Sequence, residues 1–146
     1  MSRVARRLLQ SLGLPLMAYL FMCLMTAQIR QVSFSLTLPS LGEPDSNSAL
    51  ELLLLSLPGQ LLFVLAGCFT HRRRLLIGVF LLAASITALL QCLVFAQCFG
   101  TTWSTAETFI LLASNAPALL LALVPGLALL YNTEQLSRVR RSHSCG

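Results

Sequence analysis

One histidine and three consecutive arginines stand together at positions 71–74, within the stretch FTHRRRLL of residues 69–76. Such side chains could bind the phosphates of a nucleic acid, form a catalytic cation cluster, or mark the orientation of a membrane-spanning chain. Apart from Arg30, the other arginines occur in two further short clusters, one near each end of the chain. No stacking aromatic residues are interleaved with the arginines. Because a nucleic-acid site needs a continuous basic face, we expect no nucleic-acid partner.

The five cysteines are the other candidates for chemistry, and no two of them form a CxxC pair. His71 and His143 stand apart from them, so the spacing does not favour a zinc site. The sequence also shows no Ser/His/Asp or Cys/His arrangement and no glycine-rich phosphate loop. We therefore expect neither enzyme activity nor a metal or cofactor. The cysteines are Cys23, Cys68, Cys92, Cys98 and Cys145.

The segments that carry these residues are strongly apolar. Of the 146 residues, 56% are hydrophobic and 10% are charged, and the mean hydropathy is +0.79. A soluble domain carries about 25% charged residues, so this composition indicates a membrane protein. Four segments reach the roughly 20 residues that a bilayer-spanning helix needs. They predict helices over about 8–29, 49–70, 75–98 and 107–131.

The predicted fold is therefore an all-α bundle of four transmembrane helices in a single membrane domain, residues 1–146. The first apolar run is longer than that of a signal peptide, so we expect it to be a retained helix. The domain ends in a basic tail, residues 132–146. Cys68 falls at the end of the second predicted span, beside the arginine cluster, where a cysteine can be palmitoylated.

The arginines predict the orientation of this bundle. With four spans, nine of the ten arginines fall on one side of the membrane and only Arg30 on the other. An excess of arginine in short loops marks the cytoplasmic side, so both termini are predicted to be cytoplasmic. Arginines beside the membrane can also contact anionic lipid headgroups. The candidates for that contact are Arg72, Arg73, Arg74, Arg138, Arg140 and Arg141.

The first outer loop contains an alternating stretch, QVSFSLTLP, at residues 31–39. Apolar and polar residues alternate with a period of two, which is typical of an extended segment. This segment could lie on the membrane surface, or it could offer a strand edge to the extracellular domain of a partner.

Small residues recur every four positions in the fourth predicted span, where they form a packing seam. A row of small residues lets another helix approach closely, either within the bundle or from another membrane protein. No span contains Asp, Lys, Arg or His at mid-depth, which argues against a proton relay or a pathway for charged substrates. The seam consists of Ser114, Ala118, Ala122 and Gly126.

Several short motifs resemble the transmembrane protein 107 family, four-span proteins of the ciliary transition zone. They are the starting MSRV, SLTLP in the first outer loop, LFVLAG in the second span, GTTW in the second outer loop, and SNAPA in the fourth span. The resemblance covers nearly the whole chain, although the HRRR turn and the AQCFG segment depart from the family pattern. It implies a non-enzymatic scaffold that joins other transition-zone membrane proteins, supports cilium assembly and contributes to the ciliary diffusion barrier.

A second resemblance points to a sterol- or lipid-binding protein, with the endoplasmic reticulum as the alternative location. LELLLLSLP and NAPALLLALVP are similar to segments of the four-span domain of sterol isomerases and the sigma-2 receptor. That family implies an acidic residue deep in each of the first two spans. The first span here has none, and Glu51 lies near the start of the second, where the helix dipole favours an acid.

Overall fold

In the computed structural model, which describes residues 2–36, 48–98 and 104–144, the chain forms an all-helical bundle without any β-strand in those ranges. Three helical stretches are long and apolar enough to cross a membrane: Arg3–Arg30, Arg73–Ala96 and Ala116–Arg140. Two shorter apolar stretches, Leu53–Phe69 and Thr105–Ser114, accompany them. The helices are α1 (Arg3–Ser11), α2 (Gly13–Arg30), α3 (Ser48–Phe69), α4 (Arg73–Cys98), α5 (Thr105–Ser114) and α6 (Ala116–Ser144).

Prolines account for the two interruptions in these helices. α1 and α2 are separated by a turn at Leu12, three residues before Pro15. α5 and α6 are separated at Asn115, two residues before Pro117. A proline lacks the N–H that would bond to the carbonyl four residues earlier, so the helix is weakened at that point. The first and fourth predicted spans are therefore each built from two helices.

Local capping sets several of the helix ends. The Ser2 side chain accepts a hydrogen bond from the Ala5 N–H at 3.1 Å and starts α1. Ser104 and Glu107 form a reciprocal capping box that starts α5. α2 ends where Gln31 adopts a left-handed conformation with φ 51°. These caps satisfy backbone groups that a helix end leaves without a partner.

The structure adds detail in two regions whose conformation the sequence did not specify fully. α6 continues to Ser144, so residues 132–144 of the predicted tail are helical. Residues 32–36 of the alternating stretch form neither helix nor strand, and the Tyr19 hydroxyl donates a hydrogen bond to the Leu36 carbonyl. Residues 37–39, the end of that stretch, lie outside the described residues.

The core lies where α2 packs against α3, α4 and α6. Leu14, Met17, Phe21 and Met25 of α2 are fully buried. α3 and α4 are joined by a three-residue turn and pack against each other as an antiparallel pair. Between them, Phe63 and Phe80 are in edge-to-face contact, with their ring centroids 5.6 Å apart. Such an aromatic pair adds about 0.5–1.5 kcal/mol beyond the burial of its surface.

Candidate functional site

The three arginine clusters converge at one end of the bundle. They come from the start of α1, the turn between α3 and α4, and the C-terminal part of α6. Together they line a cavity of about 250 Å³, which we call the basic cavity. Its lining residues are Arg3, Arg6, Arg7, Thr70, His71, Arg72, Arg73, Leu76, Glu134, Ser137 and Arg138.

The most buried charged side chain of the basic cavity is Arg7, which is 4% exposed. Its Nε donates to the Gly67 carbonyl of α3 at 3.1 Å. Its Nη1 donates to Gln10 Oε1 at 2.6 Å and to Glu134 Oε1 at 2.8 Å. A buried charge is costly unless it is paired and hydrogen-bonded, and Arg7 satisfies both conditions. One guanidinium therefore connects α1 with α3 and α6.

Gln10 extends this network to a second residue of α6. It is fully buried, and its Nε2 donates to Thr133 Oγ1 at 2.8 Å and to Glu134 Oε1 at 3.1 Å. Gln10 thus uses its carbonyl oxygen for Arg7 and its amide group for α6. We call Arg7, Gln10, Thr133 and Glu134 the polar network. Glu134 accepts from both Arg7 and Gln10, so its charge is paired inside the protein.

His71 connects the α3–α4 turn to the start of α1. Its Nδ1 lies 3.0 Å from the Phe69 carbonyl, which can only accept. Nδ1 is therefore the donor, and in the neutral ring Nε2 is left as the acceptor for Arg3 Nη1 at 3.2 Å. The contacts of both ring nitrogens are consistent with a neutral imidazole.

The six arginines proposed for headgroup contact do not share one environment. Arg72, Arg73 and Arg138 line the basic cavity, and the Arg73 guanidinium lies 4.3 Å from the centre of the Tyr131 ring. Arg74 and Arg140 are exposed and do not line it. The side chain of Arg141 lies outside the described residues.

Sequence reasoning did not single out the polar network. In the sequence, Arg7 contributes only to the orientation of the bundle, and Glu134 is the one acidic residue on the predicted cytoplasmic side. The position of Glu134 is informative, because one carboxylate among many arginines is expected to pair with some of them. Which arginine it pairs with depends on how α1 and α6 are aligned, which the sequence does not reveal.

Three of the four seam residues face the interior of the bundle. Ala118, Ala122 and Gly126 are buried, whereas Ser114 is exposed. A Cβ atom added to Gly126 would lie 3.2 Å from the Gly13 carbonyl oxygen of α2 and 2.8 Å from Phe80 Cζ of α4. Two glycines thus allow α2 and α6 to approach closely, as small residues do between membrane helices.

Ala122→Leu is expected to destabilise the bundle by roughly 1–3 kcal/mol, because Ala122 is fully buried and the larger side chain has no space. Thermal unfolding in detergent measures the effect. Ala128→Leu is the matched control, since Ala128 lies on the same helix and is exposed. Equal unfolding midpoints for the two variants would show that Ala122 is not closely packed.

Cys68 is half-buried, Cys23 and Cys92 are buried, and no disulfide joins these three described cysteines. The side chain of Cys98 and the whole of Cys145 lie outside the described residues. If Cys68 is palmitoylated, acyl-exchange labelling of the protein will be lost in Cys68→Ser and retained in Cys92→Ser. Unchanged labelling of Cys68→Ser would assign the modification to another cysteine, and absence of labelling in the unmutated protein would dismiss it.

Comparisons of the chain with known protein families, with characterised proteins and with solved structures find no match.

Proposed function

We propose that the protein is a non-enzymatic membrane scaffold with four spans and cytoplasmic termini, and that it acts in the ciliary transition zone. Its partners there would be the lipid bilayer and other transition-zone membrane proteins. The observation that carries the scaffold proposal is the way polar and apolar side chains are distributed between the interior and the surface of the bundle. Buried polar groups tie helices to one another, while large apolar side chains face outward along the helices. The ciliary location is supported by the sequence resemblance.

The length of α3 supports the proposal of a fourth span. The helix has 22 residues, which at about 1.5 Å per residue extend over roughly 33 Å. A bilayer core of about 30 Å can be crossed by a helix of this length. With α3 spanning, the α3–α4 turn falls on the same side as the start of α1 and the end of α6, where the basic cavity gathers their arginines.

The outward surface of α3 supports a role in contacts within the membrane. Its exposed leucines recur at intervals of one, three or four residues, so they form a continuous apolar row on one side of the helix. A second group of exposed apolar residues lies on α5 and α6. Lipid tails or the helices of other membrane proteins can pack against both surfaces. The α3 row is Leu50, Leu53, Leu54, Leu57, Leu61 and Leu65.

Localisation in a ciliated cell tests the function directly. A tagged protein expressed at its natural level is expected to form a ring at the ciliary base, and cells lacking it are expected to assemble fewer or defective cilia. Restoration of cilia by the unmutated chain is the control. A diffuse signal in the endoplasmic reticulum together with normal cilia in the depleted cells would contradict the proposal.

A further inference from the structure

Among the described residues, those that line the basic cavity carry more positive charge than negative charge. Six arginines line it, and the lining contains one carboxylate, Glu134. That carboxylate lies 2.8 Å from Arg7 Nη1 and 3.9 Å from Arg6 Nε. The lining therefore keeps an excess of five positive charges when His71 is neutral. An unbalanced group of cations in a cavity favours an anionic ligand.

Several of these guanidinium groups retain unused hydrogen-bond donors. Arg6 Nε is buried and has no hydrogen-bond partner among the described residues. Within the same part of the chain, the side chains of Arg72 and Arg138 form no hydrogen bond or ion pair. A buried donor without a partner is costly, so a ligand that accepts its hydrogen bond would be stabilised.

We propose that the basic cavity binds the phosphate of a phosphomonoester, supplied either by a phosphorylated lipid headgroup or by a free phosphorylated solute. Guanidinium groups present planar pairs of donors that match phosphate oxygens, and a phosphomonoester brings up to two negative charges and several acceptors. Every positively charged side chain that lines this cavity belongs to an arginine, and none belongs to a lysine. The other basic residue of the lining, His71, has the hydrogen bonds of a neutral ring. Arginine is the residue best suited to such two-point recognition.

The size of the basic cavity supports a small polar ligand. Its volume of about 250 Å³ is below the roughly 300–1,000 Å³ of pockets that enclose drug-sized molecules. Thr70 and Ser137 add hydroxyl groups to the lining, and Leu76 is its one aliphatic side chain. Glu134 would repel an anion, but its charge is already paired with Arg7. The ligand is therefore expected to contact the arginines not held by Glu134 at hydrogen-bond distance, which include Arg3, Arg6, Arg72 and Arg138.

Titration of the full chain in non-ionic detergent tests this proposal. The phosphomonoester probes are short-chain phosphatidylinositol bisphosphate and, as the soluble probe, inositol phosphates such as inositol trisphosphate; short-chain phosphatidylserine, a phosphodiester, is the comparison. Saturable binding of at least one phosphomonoester probe, tighter than that of phosphatidylserine, is the expected result. Binding restricted to the lipid assigns the phosphate to a headgroup, and comparable binding of the soluble probes assigns it to a free solute.

A matched pair of double variants makes the test specific to the basic cavity. Arg72→Gln with Arg138→Gln is expected to weaken binding at least about tenfold, because each lost guanidinium removes charge-assisted hydrogen bonds. Arg74→Gln with Arg140→Gln removes the same charge from the same two segments but outside the lining, and is expected to bind within about twofold of the unmutated chain.

Three results would overturn the proposal: no saturable binding of any phosphomonoester, phosphatidylserine binding as tightly as the phosphomonoesters, or equal affinities for the two double variants. If a double variant does not fold, the single changes Arg138→Gln and Arg140→Gln replace it, and equal affinities would again overturn the proposal.

Discussion

Arg7→Ala is expected to destabilise the bundle by about 3 kcal/mol, because it removes the buried partner of an ion pair and leaves Glu134, among the described residues, with only Gln10 and the more distant Arg6. The change deletes the Arg7 hydrogen bonds to Gly67, Gln10 and Glu134. α1 then loses its charged connection to α3, and its connection to α6 is reduced to the hydrogen bonds of Gln10 and the 3.9 Å ion pair between Arg6 and Glu134. Thermal unfolding in detergent, followed by the loss of monodisperse protein, should show a midpoint lowered by roughly 6–12 °C.

Two further variants separate the role of Arg7 from a general effect of charge. Arg74→Ala removes an exposed arginine and is expected to change stability by no more than about 0.5 kcal/mol. Glu134→Gln, alone and combined with Arg7→Ala, completes a double-mutant cycle. The cycle should give a coupling energy of about 1–3 kcal/mol. Strictly additive effects, or equal midpoints for Arg7→Ala and Arg74→Ala, would contradict the polar network.

Gly59→Ala is expected to be the second most damaging single change. A Cβ atom at Gly59 of α3 would overlap Thr87 Oγ1 and lie 3.0 Å from the Ala83 carbonyl oxygen of α4. The Ala83 oxygen belongs to the backbone, so relief requires the two helices to separate. Overpacking of this kind costs about 1–3 kcal/mol, and thermal unfolding in detergent measures it.

Gly78→Ala is the matched control for Gly59→Ala. Gly78 lies within α4, and a Cβ atom added there meets nothing within 4 Å. Alanine favours a helix over glycine, so this change should leave stability unchanged or raise it by up to about 1 kcal/mol. Adding Thr87→Ala to Gly59→Ala should restore part of the loss, since it removes the overlapping oxygen. Equal stabilities of Gly59→Ala and Gly78→Ala would contradict the close packing of α3 against α4 at Gly59.

The helical architecture was largely accessible from the sequence, because the hydrophobic runs are long. The apolar segments match the positions of α2, α3, α4 and the α5–α6 pair, with ends displaced by five residues or fewer apart from the end of α6, which continues to Ser144. Pro15 and Pro117 follow the two interruptions. Pro58 and Pro125 lie inside continuous helices, so proline alone does not decide where a membrane helix breaks.

The polar network could not be derived from the sequence, because it depends on tertiary alignment. Arg7 and Gln10 are one turn apart on α1, but their partner Glu134 is 127 positions after Arg7. The same holds for the close approaches at Gly13, Gly59 and Gly126, which depend on where the helices cross. The small-residue seam indicated a packing face on α6, but not that α2 would occupy it.

The proposed function depends on the four-span topology with cytoplasmic termini. The most direct test of this topology is the accessibility of engineered cysteines. Single cysteines are placed in a chain without its five natural ones and labelled with an impermeant maleimide before and after permeabilisation. Ser2→Cys, His71→Cys and Ser142→Cys should all be labelled from the cytoplasmic side, and Ser40→Cys and Thr102→Cys only from the opposite side. If position 71 or 142 were labelled from the opposite side to position 2, the four-span arrangement would be contradicted.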